Sequence, residues 1–259
     1  MLEEISAHVY KHWKLMARRP GELAWLIVYP FVGLISLGIL SFYLKSQGAP
    51  LETMLYVLVG VIVWSFYEVS QRAISYAITF DIWNNCLRHS FAGKSSVMHF
   101  IIGNSTFGLL SSVVAFALVS FTSIIIFGFN IFLAGFYLMN LLSVFIFATG
   151  MGLLIDSLMI TRGEKWMSLI WMGTGFIMIF SGVYYPIDIL PYPMQWISFA
   201  LPSTHAIISM RAALTLDMSV ANTEFIIGLL TSFVYLLFSS LIFRWSLKKS
   251  KISGVLTKY

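Results

Sequence analysis

Long stretches without charge are the feature that most constrains the fold of this chain. Residues 95–155 contain no Asp, Glu, Lys or Arg over 61 positions. A helix needs about 20 apolar residues to cross the hydrocarbon core of a bilayer, so this stretch is long enough for two crossings. Charged residues make up only 10% of the whole chain, far below the roughly 25% that is typical of soluble domains. We therefore expect an all-α polytopic membrane protein.

Dividing the sequence at its charges and turn residues predicts six transmembrane helices. The uncharged stretch breaks at 127–131, where Gly128 and Asn130 interrupt the apolar pattern. No stretch is long enough for an independent soluble domain, so we expect a single transmembrane domain over 1–259. The predicted spans are 23–44, 54–80, the two halves of 95–155, 166–187 and 225–243.

The apolar segment before the last span is rich in proline. Its uncharged part, 189–210, is long enough for a seventh span, but Pro191, Pro193 and Pro202 each remove a backbone donor and oppose a continuous helix. The distribution of Lys and Arg also favours six spans over seven. Six spans place thirteen of the sixteen Lys and Arg residues on one side, as the positive-inside rule requires of the cytoplasmic side. We predict short re-entrant helices over 187–215 on the outer face, with both termini cytoplasmic.

The first 20 residues form a separate predicted element. Apolar residues recur at spacings of three and four, which predicts an amphipathic helix lying in the inner membrane interface, with Trp13 at headgroup depth. Its basic residues would face anionic lipid, and Pro20 would turn the chain into the first span. An ordinary basic juxtamembrane segment is the alternative. The apolar stripe consists of Leu2, Ile5, Val9, Trp13 and Met16.

The order and spacing of these features resemble the ABC-2 type permeases, the membrane subunits of ATP-binding-cassette exporters. The resemblance rests on the elbow with Arg18-Arg19-Pro20, the six spans, and the outer segment. That segment reads Ser181-Gly182-x-x-x-Pro186-x-x-x-Leu190-Pro191 and closes with Pro202-x-x-His205.

The resemblance implies a prokaryotic plasma-membrane protein with two kinds of partner. One is a second permease subunit, in a homodimer or with a similar chain; the other is a separate ATPase subunit. ATP and Mg would be bound by the ATPase, so this chain would carry no cofactor. The resemblance also implies two gates. The inner elbow would use Trp13, Arg18, Arg19 and Pro20, and the outer gate Gly182, Pro186, Leu190, Pro191, Pro202 and His205.

The loop after the second span, 81–97, resembles the family's coupling helix, which seats in a groove of the ATPase. Apolar residues at four-residue spacing give it one edge suited to helix-in-groove docking, and Asp81 is expected to cap the helix. A solvated loop lying on lipid is the alternative. Gly93-Lys94-Ser95 matches only the end of a phosphate-binding loop, so we expect no nucleotide site here. The predicted coupling residues are Asp81, Trp83, Asn84, Leu87, Arg88, His89 and Phe91.

Glu68 and Arg72 are the only charged residues well inside a predicted span. Their i, i+4 spacing on one helix lets them pair, which lowers the cost of burying both charges. We predict that they line the transport pathway or fix the dimer interface, with a purely structural pair as the alternative. Asp156 and Glu164 are expected to form an ordinary inner-face charge cluster with Arg162 and Lys165.

No arrangement of residues indicates chemistry. The five histidines are scattered, and neither metal-ligand spacing nor a catalytic triad is present, so we expect no catalytic residues and no metal. We attribute the net charge of +5 to cytoplasmic loops rather than to nucleic-acid binding. The predicted function is an export permease for an amphiphilic cargo such as a lipid, a lipid-linked glycan or a hydrophobic drug. The alternative is an ATP-independent secondary transporter or channel that uses Glu68 and Arg72.

Overall fold

The regular structure of the described residues is entirely helical. The computed structural model describes residues 2–84, 86–87, 90 and 97–253. Arg88, His89 and Phe91 of the predicted coupling segment lie outside these residues. The α-helices are α1 (Leu2–Ala17), α2 (Pro20–Ser46), α3 (Leu51–Trp83), α4 (Val97–Phe127), α5 (Asn140–Arg162), α6 (Leu169–Phe180), α7 (Tyr192–Ala200), α8 (Pro202–Leu214) and α9 (Met218–Ile252).

Within the described residues, five helical stretches are long and apolar enough to cross a membrane. They confirm the prediction of an all-α polytopic membrane protein. The bundle has two ends, and we call the one that carries α1 the elbow end and the other the far end. The five stretches are Val28–Ser46, Leu51–Trp83, Val97–Phe127, Ile131–Arg162 and Met218–Ile252.

The predicted fifth span, 166–187, is helical only in part. Its α-helix, α6, has 12 residues, which at 1.5 Å per residue is about 18 Å, well short of a hydrocarbon core of about 30 Å. The helix ends before the apolar run does, because Gly182 adopts a left-handed φ of 62° and turns the chain. The prediction of a full-length fifth helix was therefore wrong.

α3 lies at the centre of the bundle. Within its most apolar window 78% of the residues are buried, compared with 17% for α9. Close approach depends on small residues, since a Cβ added at Gly152 of α5 would lie 2.8 Å from the Ile74 side chain of α3. Central burial explains why α3 can carry polar side chains, whereas the exposed residues in the middle of α9, over 226–242, are apolar.

The predicted break in the uncharged stretch is confirmed. α4 ends at Phe127, and Gly128 takes a left-handed φ of 66°. The Asn130 side chain then accepts a hydrogen bond from the Phe132 amide and starts a 3-10 segment over Ile131–Met139, which is kinked at Gly135 (φ 56°) and leads into α5. A glycine and a capping asparagine thus turn one apolar run into two antiparallel helices.

The prolines before the last span produce two short helices, as predicted. Pro193 and Pro202 occupy first-turn positions of α7 and α8, where a missing backbone N–H costs nothing. The residue before Pro202, Leu201, has extended backbone and separates the two helices. α8 packs against α9, α5 and α3 at the far end of the bundle.

The elbow is a helix, but its buried face differs from the predicted stripe. α1 buries His12 and Met16 against the bundle, whereas Trp13 is 61% exposed. The close approach of α1 to α4 depends on Gly103, where an added Cβ would lie 2.5 Å from the His8 side chain. Burial lowers the pKa of His12 to about 4, so this imidazole is neutral near pH 7 and packs as part of the core.

Candidate transport site

The predicted pair of charges on α3 is formed and buried. Arg72 donates to the Glu68 carboxylate, and the two side chains are 3% and 9% exposed. The Arg72 guanidinium also lies 3.8 Å from the ring centroid of Trp171 and 4.4 Å from that of Tyr29. Cation–π contacts of this kind stabilise a cation that has left water. Arg72 thereby connects α3 with both α2 and α6.

A cavity of about 220 Å³ lies beside this pair, between α2, α3, the end of α6 and the residues that follow it. Tyr29 and Val32 on its rim are 39% and 54% exposed, so the cavity reaches the surface of the chain between two apolar helices. Its walls are almost entirely apolar, and Glu68 is the one charged residue in them. The lining residues are Tyr29, Pro30, Val32, Gly33, Ser36, Leu37, Val61, Trp64, Ser65, Glu68, Met178 and Tyr184.

The cavity combines a mainly apolar surface with one charged side chain, that of Glu68. Such a cavity accommodates the apolar part of an amphiphile while a polar group of the same molecule lies near the Glu68 carboxylate. Gln71 fixes the neighbouring helix, because its side-chain oxygen accepts a 2.7 Å hydrogen bond from the Thr174 hydroxyl of α6. The cavity is thus held between helices that are tied together by buried polar contacts.

At the far end, Arg211 clamps the proline-rich segment to α3. Its guanidinium donates to the carbonyls of Gly182 and Val183 at 2.9 and 2.8 Å and to that of Tyr56 at 2.9 Å, and it covers the Tyr56 ring at 3.3 Å. Gly60 allows this contact, since a Cβ there would lie 1.8 Å from the Val183 carbonyl oxygen. Burial lowers the pKa of Arg211 to about 10, which still leaves it charged near pH 7.

His205 connects α8 to α9. Its Nδ1 lies 2.5 Å from the Glu224 carboxylate and its Nε2 lies 2.8 Å from the Phe199 carbonyl oxygen. An imidazole that faces an acceptor at each nitrogen satisfies both only as the doubly protonated cation. Burial alone would lower the pKa of His205, but the hydrogen bonds to Glu224 and Phe199 outweigh it and raise the pKa above the ordinary value.

The residues predicted for the outer gate all lie at the far end, but they do not share one surface. Gly182, Pro202 and His205 are buried, Pro186 and Leu190 are partly buried, and Pro191 is exposed. The Leu190 carbonyl accepts a hydrogen bond from the Gln195 side chain, which holds α7 against the turn before it. Their gating role remains a prediction.

The elbow and the end of α3 are joined by one polar network. Lys11 donates to both Asp81 oxygens at 2.8 and 2.9 Å, and the Ser90 hydroxyl donates to the same carboxylate at 2.6 Å. Asp81 is not the cap of a separate helix, as we had predicted, because α3 continues through it to Trp83. Its carboxylate instead binds the elbow to the segment that follows α3.

The described part of the coupling segment exposes fewer of the predicted residues than expected. Leu87 is fully buried in the core at the elbow end, so the predicted apolar edge is not exposed at this residue. Asn84 is exposed and Trp83 is partly buried, with the Arg19 guanidinium 5.0 Å from its ring centroid. Arg18 and Pro20 are exposed on the elbow side.

Two far-end contacts were missed by sequence reasoning, and only one had a signal. Arg211 is the only charged residue between 189 and 216, and a lone arginine in an apolar segment indicates a buried partner. Nothing in the sequence links His205 to Glu224, which lies 19 positions further on, in another helix. Asp156 was assigned wrongly, because it is fully buried, and its carboxylate has no hydrogen-bond partner among the described residues.

Fold and site together define a polytopic membrane permease. The family model described as ABC-2 type transporter matches residues 3–215. The chain therefore belongs to the ABC-2 type transporter family, which confirms the resemblance, and membership implies an ATP-binding partner subunit. None of the curated proteins compared with the chain matches it. Among the described residues, no group of three or more His, Cys, Asp or Glu side chains is placed to bind a metal ion.

Proposed function

We propose that this chain is the membrane-spanning subunit of an ABC exporter that moves an amphiphilic cargo. ATP would be bound and hydrolysed by a separate subunit, and this chain would need no cofactor of its own. The observation that carries the proposal is the apolar cavity beside Glu68 and Arg72, which opens between α2 and α6. A lipid, a lipid-linked glycan or a hydrophobic drug has the combination of apolar body and polar group that this cavity suits.

A second permease subunit would complete the pathway. Large apolar side chains are exposed on both helices that border the cavity, including Ile39 and Phe42 of α2 and Met172 and Phe176 of α6. A second copy packed against these faces would turn the open cavity of each chain into part of a shared central pathway. The remaining exposed apolar surface, on α4 and α9, would then contact lipid.

Coupling to the ATPase would pass along α3. Asp81, at the elbow end, and Glu68, beside the cavity, lie on one continuous helix, 13 residues or about 20 Å apart. A movement of the 81–97 segment on the cytoplasmic side would reach the cavity through this rigid element and would reach the elbow through Lys11. With both termini cytoplasmic, the far end would hold the outer gate.

The proposal is tested by filling the cavity. Gly33 lines it, and a Cβ added there meets no atom within 4 Å, so the backbone at this position leaves room to begin a larger side chain in Gly33→Leu. In proteoliposomes that contain the chain and its ATPase, we expect Gly33→Leu to lower ATP-dependent export of a fluorescent phospholipid at least tenfold, a loss of about 1.4 kcal/mol in transition-state stabilisation.

The matched control is Gly21→Leu. Gly21 lies on the same helix, also has no atom within 4 Å of an added Cβ, and is outside the cavity, so export should remain near the wild-type rate. Equal rates for the two variants would remove the cavity from the pathway. Undiminished transport without ATP would contradict the exporter and support the secondary transporter.

A further inference from the structure

A second cavity lies at the elbow end of the bundle, away from Glu68. Its volume is about 460 Å³, and it is formed between the last turns of α5 and α9. The volume is in the range of small-molecule sites in proteins. The cavity beside Glu68 lies instead between α2, α3 and the end of α6, and the two cavities share no lining residue.

The walls of this cavity change from apolar to cationic in one direction. α5 and α9 both run toward the elbow end, and the lining residues of each are apolar first and polar at the helix end. Leu158 is followed by Arg162 on α5, and Ile242 is followed by Lys249 on α9. Both cations are exposed, and neither forms an ion pair with a carboxylate among the described side chains.

Hydroxyl and indole groups complete the polar end. Ser246 and Ser250 line the cavity and are buried, and the Ser246 hydroxyl makes no hydrogen bond to another described residue. Trp245 is 61% exposed at the rim, with Lys249 Nζ 5.0 Å from its ring centroid. Tryptophan and lysine side chains concentrate at the depth of lipid headgroups, so the polar end of the cavity lies where a headgroup would be.

We propose that this cavity binds one anionic phospholipid. The headgroup phosphate is held between Arg162 and Lys249, with the Ser246 hydroxyl as a further donor, and the acyl chains descend past Leu158 and Ile242 into the membrane. Two cations on opposite walls and the absence of carboxylates among the lining residues favour an anionic headgroup over a zwitterionic one. The bound lipid joins the ends of α5 and α9 and is not cargo.

Native mass spectrometry of the purified chain tests this site. With equimolar phosphatidylglycerol and phosphatidylcholine of the same acyl chains, we expect preferential retention of one phosphatidylglycerol per chain. Arg162→Gln with Lys249→Gln should weaken phosphatidylglycerol binding on the order of tenfold, as expected for the removal of two cations that contact one phosphate. The matched control is Arg244→Gln with Lys248→Gln, which removes two exposed cations of α9 that do not line the cavity.

Three results would overturn the assignment. They are equal retention of the two lipids by the wild-type chain, an equal loss in the test and control variants, and displacement of the lipid by millimolar inorganic phosphate. A second measurement does not depend on the folding of the charge variant. Brominated phosphatidylglycerol should quench the tryptophan fluorescence of the wild-type chain more than that of Trp245→Phe, because Trp245 lies at the rim of the site. Brominated phosphatidylcholine should quench the fluorescence of the wild-type chain less. Equal quenching by the two lipids would also contradict the site.

Discussion

At the scale of single residues, the charges inside the membrane are the ones on which the account depends most. Arg72 has Glu68 as its counter-ion and two aromatic rings as further contacts. Breaking a buried ion pair by removing one partner leaves an uncompensated charge, which is more costly than removing both. The pair therefore stabilises the arrangement of α2, α3 and α6 around the cavity.

Glu68→Gln should lower the free energy of unfolding by about 3 kcal/mol, because Arg72 then stays buried without a counter-ion. The double variant Glu68→Gln with Arg72→Gln should recover most of this loss, since two neutral amides at i, i+4 can bond to each other. Circular dichroism during unfolding in detergent measures the free energy of unfolding of the single and the double variant. Additive losses in the double variant would mean that the two residues do not stabilise each other.

His205 predicts a pH dependence of stability. Its pKa is raised in the folded chain, so the stability that it contributes is fully present below the ordinary value near 6.5 and is lost as the pH rises through the raised pKa. The melting temperature of the wild-type chain should therefore exceed that of His205→Gln by more at about pH 6 than at about pH 9. Glu224→Gln should abolish the same pH dependence. A constant difference between wild type and His205→Gln would show that the imidazole is neutral.

Arg211 shows why a planar guanidinium is needed at the far end. Arg211→Lys keeps the positive charge, but a single ammonium cannot reach carbonyls on two elements as the fork of arginine does. We expect a loss of about 2 kcal/mol in the free energy of unfolding, from hydrogen bonds to a charged group. Arg244→Lys, at an exposed position of α9, should leave stability unchanged in the same thermal melt. Equal effects of the two substitutions would contradict the clamp.

At the scale of elements, the elbow helix is held to the bundle by Lys11. Lys11→Met removes the charged donor of Asp81 and should increase hydrogen exchange of the α1 amides about tenfold, because a charge-assisted hydrogen bond contributes about 1.5 kcal/mol. Hydrogen–deuterium exchange with mass spectrometry measures this directly. Lys14→Met on the same helix is the control, since Lys14 is exposed and its ammonium lies 5.4 Å from the Tyr10 ring centroid, with no ion pair among the described side chains. Unchanged exchange in Lys11→Met would mean that packing alone holds the elbow.

The sequence predicted the elements wherever a local signal decides the structure. Gly128 and Asn130 divide the long apolar stretch, and the prolines after 190 yield two short helices, because turn and cap chemistry act over a few residues. The length of the fifth helix was overestimated because hydropathy indicates only that a segment is apolar. The end of the helix is set by backbone conformation, here by the turn at Gly182.

The site was predictable only for contacts within one helix. The spacing of Glu68 and Arg72 on α3 predicts their pairing, but the rings that enclose Arg72 come from α2 and α6 and are fixed by packing. The face by which α1 contacts the bundle was not predictable for the same reason. The helix lies on Gly103 of α4, so its contact face includes His12 and leaves Trp13 exposed.

At the scale of the whole molecule, α3 organises both ends of the bundle. It carries the Tyr56 carbonyl bound by Arg211 at the far end, Glu68 beside the cavity, and Asp81 bound by Lys11 at the elbow end. A helix with these three anchors can move only together with the elements that they hold. This connection is the basis for proposing that an ATPase acting at one end controls the opening of the other.

Co-purification with the ATP-binding subunit is the most direct test of the central claim, that this permease is driven through the 81–97 segment. The account predicts that the wild-type chain retains the subunit and that Asn84→Arg with Arg88→Glu loses it while the permease stays folded. Lys45→Glu, an exposed charge reversal at the far end of α2, should retain it. Retention by the double variant would remove this segment as the docking site. Failure of the wild-type chain to bind any ATP-binding subunit would contradict the proposed exporter.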